Sequence, residues 1–401
     1  MAQRFDGWRV VAGAFVLAVF AWGIGFYGPG IYIATLAEGR GWSVGLLSVA
    51  VTWHFLVAAA MVAQLPELHR RWGLAAVTRA GAVASAAGLL GWGFGNLPWL
   101  VFGAATLTGM GWALTSGAAI NAMISPWFDR RRPAALAMAY NGASVGGILM
   151  TPLWAWLIAG WGFGAATAII AAALLGAAWP LAGLVLGRGP AESGQYADGD
   201  AAPPPAPPPA RPAAPARSRG ELARDRVFRG LSLAFAIGLF AQMGLVTHLV
   251  SLLVPALGVR GAGLAMALVT VFAVIGRTVT GWVLPGGQRR RWAASATFAV
   301  QMAGSLVLLV ADASVPLLLL GCALFGLGVG NLLSLPPLIA QAEFPAADVG
   351  RVVALMQAIN QAFYAFAPAG FGLLREVVSA EAALWVTLAL QGMAAVLVLR
   401  R

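Results

Sequence analysis

The chain has 401 residues, of which 60% are hydrophobic and only 10% charged, with a formal net charge of +11 at neutral pH. A soluble protein carries roughly 25% charged residues, so this chain cannot cover itself in water and must lie in lipid for most of its length. The basic residues are all arginine and collect in alternate loops, a membrane-orientation pattern that sets a nucleic-acid partner aside, while a lone cysteine, Cys322, excludes an internal disulfide.

Apolar runs of about 20 residues predict twelve membrane-spanning helices. The first, 9–36, is too long for a cleavable signal. It is interrupted by "GFYGPGIY", where Gly28, Pro29 and Gly30 permit bending and Tyr27 becomes a candidate wall of a path. The second, 44–66, follows the break "RGWS" and holds His54 in "VTWHFLV"; proton carriage and simple packing are its two readings. The third and fourth, 74–95 and 98–123, are parted by "GNLP", and the fourth contributes Thr115 and Ser116. The fifth and sixth, 133–159 and 162–187, flank "GWGFG", and the fifth carries Asn141 and Ser144, three apart on one face.

The stretch 188–226 differs in kind: "DAAPPPAPPPARPAAPARSRGELARDR" is Pro-rich, then basic, with no apolar face. It predicts a cytoplasmic tether between an N-terminal bundle, 1–187, and a C-terminal bundle, 227–401. Contact with anionic lipid headgroups is a second role for its basic part.

The seventh span, 228–255, holds His248 beside Thr247 and Ser251; an imidazole there suits a carboxylate, a proton, or an interhelical bond. The eighth, 262–284, contains one charge, Arg277. An arginine at membrane depth costs about 2.5–3.5 kcal/mol on insertion scales, so it faces a cavity or a partner unless it snorkels to the nearer headgroups. Its planar fork matches a carboxylate with two parallel bonds. After "LPGGQ" come the ninth and tenth spans, 292–311 and 315–340, with Asn331 following "GLGVG". The eleventh, 349–373, presents Gln357, Asn360, Gln361 and Tyr364 at i, i+3, i+4 and i+7, a polar stripe for protein or a water-filled path. The twelfth is 380–399.

Of the 25 arginines, 21 then fall on the side of both termini, against Arg40, Arg260 and Arg375 opposite and Arg277 within. The termini are expected to be cytoplasmic and the protein to sit in the plasma membrane. The halves echo each other about 220 residues apart: "RGWSVGL" with "RGAGLAM", "GMGWALTSG" with "GLGVGNLLS", "AALAMAYN" with "VVALMQAIN". Two parallel six-helix repeats suit a substrate path between halves and alternating access.

Across these spans the chain resembles the major facilitator superfamily. "FDGWRVVAGAF" at 5–15, "WFDRRRPAALAMAYNGASVGG" at 127–147, and "THLVSLLVPALGVRG" with "IGRTVTG" are similar to its monocarboxylate transporter and oxalate/formate antiporter branch. The resemblance implies a twelve-helix, all-α carrier that works as a monomer and moves a small organic monocarboxylate by proton symport or anion exchange. It implies that Arg277 faces the substrate carboxylate and that His248 assists. Where some members place an acid one turn before that arginine, this chain has Ala273. An efflux carrier for an amphipathic compound and a non-transporting membrane sensor are the alternatives. No metal-ligand cluster, phosphate loop or Ser/His/Asp set appears, so neither an enzyme nor a bound cofactor is expected.

Overall fold

The computed structural model describes residues 5–200, 217–284 and 289–400. The chain divides into two units, 1–215 and 216–401, and every regular element among the described residues is helical.

The first unit contains α1 (Gly7–Gly25), α2 (Gly28–Arg40), α3 (Val44–Val62), α4 (Leu65–Phe94), α5 (Leu100–Thr115), α6 (Gly117–Ile124) and α7 (Arg132–Leu184). Here α1 lies along α7, α4 packs on α5 and α7, and α3 packs on α5. The second unit contains α8 (Arg219–Arg224), α9 (Arg226–Val283), α10 (Arg290–Val310), α11 (Val315–Val329), α12 (Asn331–Glu343), α13 (Ala346–Tyr364), α14 (Ala367–Val377) and α15 (Ala380–Leu397). Around α9 are gathered α11, α13, α14 and α15, while α10 packs on α11 and α15.

Ten helical stretches among the described residues are long and apolar enough to cross a membrane, against twelve expected. The difference has two sources. The predicted fourth span is divided at Ser116 into α5 and α6, and the fifth and sixth run together as α7. At 1.5 Å per residue the 53 residues of α7 would reach about 80 Å, far beyond a hydrocarbon core of about 30 Å. Gly162, at φ 78° and ψ 167°, breaks the helix inside that length. Gly73 in α4 and Gly258 in α9 adopt nearly the same angles, φ 74° and 68° with ψ 163° and 172°. This backbone region is open essentially to glycine alone, so these three positions fix where one helical leg ends and the next begins. We refer below to the legs of α9 before and after Gly258.

The first predicted span breaks between α1 and α2, as "GFYGPGIY" implied. Pro29 has no N–H to offer back into α1. The carbonyls near the break are taken by side chains instead: the Tyr32 hydroxyl donates to Ile24 O at 3.0 Å and Trp154 Nε1 to Gly23 O at 3.3 Å.

The ends of the stretch 188–226 are held to their own units, and residues 201–216 lie outside the described residues. In the first unit the buried Asp198 carboxylate accepts the main-chain N–H groups of Asp129, Arg130 and Arg131 at 3.3, 2.8 and 3.2 Å. Asp200 pairs with Arg130 at 2.7 Å, and Gln195 bonds Asp6 at both its amide oxygen and its amide nitrogen. In the second unit Arg217 bridges Asp348 and Asp225 at 2.6 and 2.8 Å. Ser218 and Glu221 close a reciprocal cap on α8. The Ser218 hydroxyl, with its own N–H, holds the Glu221 carboxyl below the ordinary carboxylate range.

Candidate functional site

In the second unit the candidate residue enclosed most fully with its charge is Arg277. Its side chain is only 2% exposed, so it does not snorkel along the protein surface toward headgroups. Its Nε donates to the carbonyl of Gly330 at 2.8 Å. Gly330 is the residue between α11 and α12, and a main-chain carbonyl at such a junction is open to a partner from another helix. Glycine is required on both sides of this approach. A Cβ at Gly276 would stand 2.0 Å from Leu327 O, and one at Gly330 would stand 2.3 Å from Ala273 O. Gly330 of "GLGVG", with Gly276 facing Leu327, is thus what allows the second leg of α9 to come close enough for the bond.

Asn331 follows directly and is buried; its Nδ2 reaches Thr297 Oγ1 at 3.4 Å and Leu327 O at 3.3 Å, while its Oδ1 has no partner. It lines an apolar cavity of about 360 Å³ with Val279, Val283, Ala293, Val300 and Leu327. Sequence reasoning placed Arg277 and Asn331 as separate candidates; the fold makes them neighbours.

His248 lies apart from that pair in its bonding, with Nε2 3.0 Å from Pro368 O and Nδ1 3.1 Å from Arg375 Nη1. Arg375 was counted only among the arginines on the side opposite the termini, and nothing in its sequence neighbourhood marked it as a partner for a residue 127 positions away.

The eleventh-span stripe is buried in α13: Asn360, Gln361 and Tyr364 are enclosed and Gln357 is half-buried. Asn360 Oδ1 has no hydrogen-bond partner. A second stripe was missed. Thr297, Gln301 and Ser305 recur every four residues on α10 and are all buried, a signal that was present in the sequence. Gln301 Nε2 donates to Gln242 Oε1 at 2.7 Å, and the Ser305 hydroxyl lies 3.0 Å from Gln391 Oε1. These bonds join α10 to the first leg of α9 and to α15.

In the first unit the candidates are mostly absorbed by packing. His54 is 1% exposed; its Nδ1 meets Thr108 Oγ1 at 2.9 Å and its ring sits edge-on to Phe55. Thr115 donates to Gly111 O at 2.8 Å, and Ser116, also buried, marks the α5–α6 break. The Tyr140 hydroxyl donates to Gly117 O beside that break at 2.8 Å. Tyr27 rests on Phe26 and against α7, where a Cβ at Gly147 would strike its ring. Asn141 is half-buried and Ser144 buried on α7.

Known proteins can now be set beside this geometry. The chain is 30% identical over 177 residues to Monocarboxylate transporter 11 of Mus musculus; the match covers 42% of this chain and 38% of that protein, well short of two thirds of its length. Its fold resembles the crystal structure of the human organic anion transporter MFSD10 (TETRAN), with a TM-score of 0.71 at 15% identity, covering 99% of this chain and 100% of that one. The family model described as Major Facilitator Superfamily matches residues 12–368. That match takes in most of the chain, Arg277 and His248 included: this protein belongs to the Major Facilitator Superfamily and is a membrane transporter, not an enzyme.

Proposed function

We propose that this transporter carries a small organic monocarboxylate of the lactate or pyruvate class, with Arg277 as its anchor. The observation that carries the reading is the buried guanidinium whose Nε is tied to Gly330 O. That bond fixes the plane of the fork, and a guanidinium already held in place meets a carboxylate with little further loss of rotamer freedom. The partial likeness to a protein named for monocarboxylates supports the same cargo class. Asn331, beside Gly330, supplies a polar neighbour; His248 and His54 are the proton-coupling candidates, and Tyr27, Thr115, Ser116, Asn141 and the α13 stripe are the candidate lining. Movement is by alternating access of two six-helix bundles, 1–187 and 227–401, in the plasma membrane. Both termini face the cytoplasm, the chain acts as a monomer, and coupling is by proton symport or anion exchange.

Uptake of labelled lactate, pyruvate and acetate into proteoliposomes under imposed pH gradients tests this. Arg277→Ala is expected to lower uptake by about thirtyfold or more, since removing one partner of a buried charged pair costs about 2–5 kcal/mol. Undiminished uptake by that variant would exclude the anchor role. The apolar cavity beside Asn331 favours one other reading, export of an amphipathic compound; transport of such compounds with indifference to all three acids would establish it instead.

A further inference from the structure

We propose that Arg79, laid over the ring of Trp179, binds the phosphate of an anionic phospholipid, which clasps α4 to α7 from the membrane side. The proposal concerns the first unit alone and does not rest on the identity of the cargo.

Arg79 is the one charge in 74–94, and neither α5 nor the leg of α7 after Gly162 holds a charged residue. The helical surfaces around it therefore supply no carboxylate. Its guanidinium carbon lies 5.0 Å from the centroid of the Trp179 ring. None of its nitrogens has a hydrogen-bond or ion-pair partner among the described residues, and Nε is buried in that condition. A guanidinium keeps its proton and points its donors outward in its own plane. A ring face holds the cation but occupies none of those donors. What results is a fixed positive fork whose outer edge still needs an acceptor.

Its position says where that acceptor comes from. Side chains on a helix lean toward its N-terminus, so Arg79 reaches toward Gly73, six residues or about 9 Å back along the axis. The leg of α7 after Gly162 runs antiparallel to α4, with Thr167 against Gly93 at the far end and Gly183 against Arg79 at the near one. The near end is also where α1 begins, since Leu184 and Val185 share a cleft with Asp6 and Arg9; in the orientation proposed above it meets the inner leaflet. This face is built for lipid. Ala76 and Val83, three residues before Arg79 and four after it, are exposed, as are Trp179 and Leu184. A phosphate at the end of a span meets the fork, and the apolar flank of Val83 and Trp179 takes the acyl chains. An anionic headgroup is preferred because it carries no ammonium of its own to compete with Arg79. Gly183 completes the site: a Cβ there would stand 2.5 Å from Arg79 Nη2 and push the fork off the ring.

Native mass spectrometry of the delipidated full chain in detergent, titrated with dioleoylphosphatidylglycerol or dioleoylphosphatidylcholine, tests this. The first phosphatidylglycerol is expected to bind the wild type about tenfold more tightly than Arg79→Gln, with little such difference for phosphatidylcholine. Gly183→Ala keeps the charge and displaces only the tip of a flexible side chain, so it is expected to fold normally and yet lose most of the same affinity. Thermal unfolding without lipid verifies that both variants are folded. sn-Glycerol 3-phosphate offers the same phosphate without acyl chains and is expected not to displace the lipid. Equal phosphatidylglycerol affinity in wild type and Arg79→Gln would reduce the contact to ordinary boundary lipid and overturn the site. Wild-type affinity in Gly183→Ala would contradict a fork held over Trp179. Displacement by glycerol phosphate at concentrations similar to the lipid's would make this a site for a soluble phosphate and overturn the membrane assignment.

Discussion

The hydrogen bond from Nε to Gly330 O orients the Arg277 side chain. Lysine would keep the charge at this depth but could neither hold Gly330 O in the plane of a fork nor offer two parallel donors. Arg277→Lys is therefore expected to fold and to weaken carboxylate binding by about tenfold, less than the loss in Arg277→Ala, as measured by the lactate concentration for half-maximal uptake. The same bond can be attacked from its other end. Gly330→Ala would drive a methyl to within 2.3 Å of Ala273 O, so either α9 or the α11–α12 junction must shift. We expect about 1–3 kcal/mol of destabilisation in thermal unfolding in detergent, with uptake lowered although no charge has changed. A Gly330→Ala variant of wild-type stability would show that the helices do not approach this closely.

Backbone chemistry decides where the helices end. Gly162 adopts a conformation that side-chain-bearing residues avoid, yet nothing stands within 4 Å of where its Cβ would be. Gly162→Ala thus isolates strain from packing and is expected to cost about 1–3 kcal/mol. At Gly160, two residues away on a helical leg and equally open, alanine is expected to be neutral or stabilising. Equal effects at the two positions in thermal unfolding would contradict the assignment of the turn to Gly162. These breaks were legible because Gly and Pro punctuate the chain at fixed places: "GWGFG", "GNLP" and "GFYGPGIY" each mark a real interruption. The break at Ser116 was not legible. Only the short "TSG" at 115–117 interrupts a span otherwise apolar enough to read as one helix, and the extended ψ of −153° at Ser116 is accompanied by tertiary contacts such as Tyr140 with Gly117 O. Hydropathy counts apolar residues and is blind to such a contact. The α10 stripe of Thr297, Gln301 and Ser305 was legible by its regular spacing but is outnumbered by the apolar residues around it. Gln301→Leu is expected to leave Gln242 without its donor and to cost about 1–3 kcal/mol in thermal unfolding; a neutral result would mean the network is not formed.

Across the whole molecule, arginine placement and apolar periodicity made the all-helical membrane class readable, and the family match bears that out. What the sequence could not disclose is long-range pairing: His248 with Arg375, and Asp198 with the turn at 129–131, join residues far apart in the chain. Asp198 illustrates why. Within a Pro-rich, polar stretch it reads as solvated, but its carboxylate satisfies three main-chain N–H groups that no helix serves. Asp198→Ala is expected to leave transport intact while loosening the strap from Gln195 to Asp200, seen as faster tryptic cleavage after Arg188. Unchanged cleavage would mean that the strap is held by other contacts.

The most direct measurement compares a carboxylate with its uncharged isostere. Competition by lactate and by lactamide against labelled lactate, in wild type and Arg277→Gln, forms a cycle that isolates the charge pairing from every other contact. The proposed anchor requires the wild type to prefer lactate by about thirtyfold or more and the variant to lose most of that preference. A variant that still prefers lactate as strongly as the wild type would contradict an Arg277–carboxylate pair and leave only a transporter of undetermined cargo.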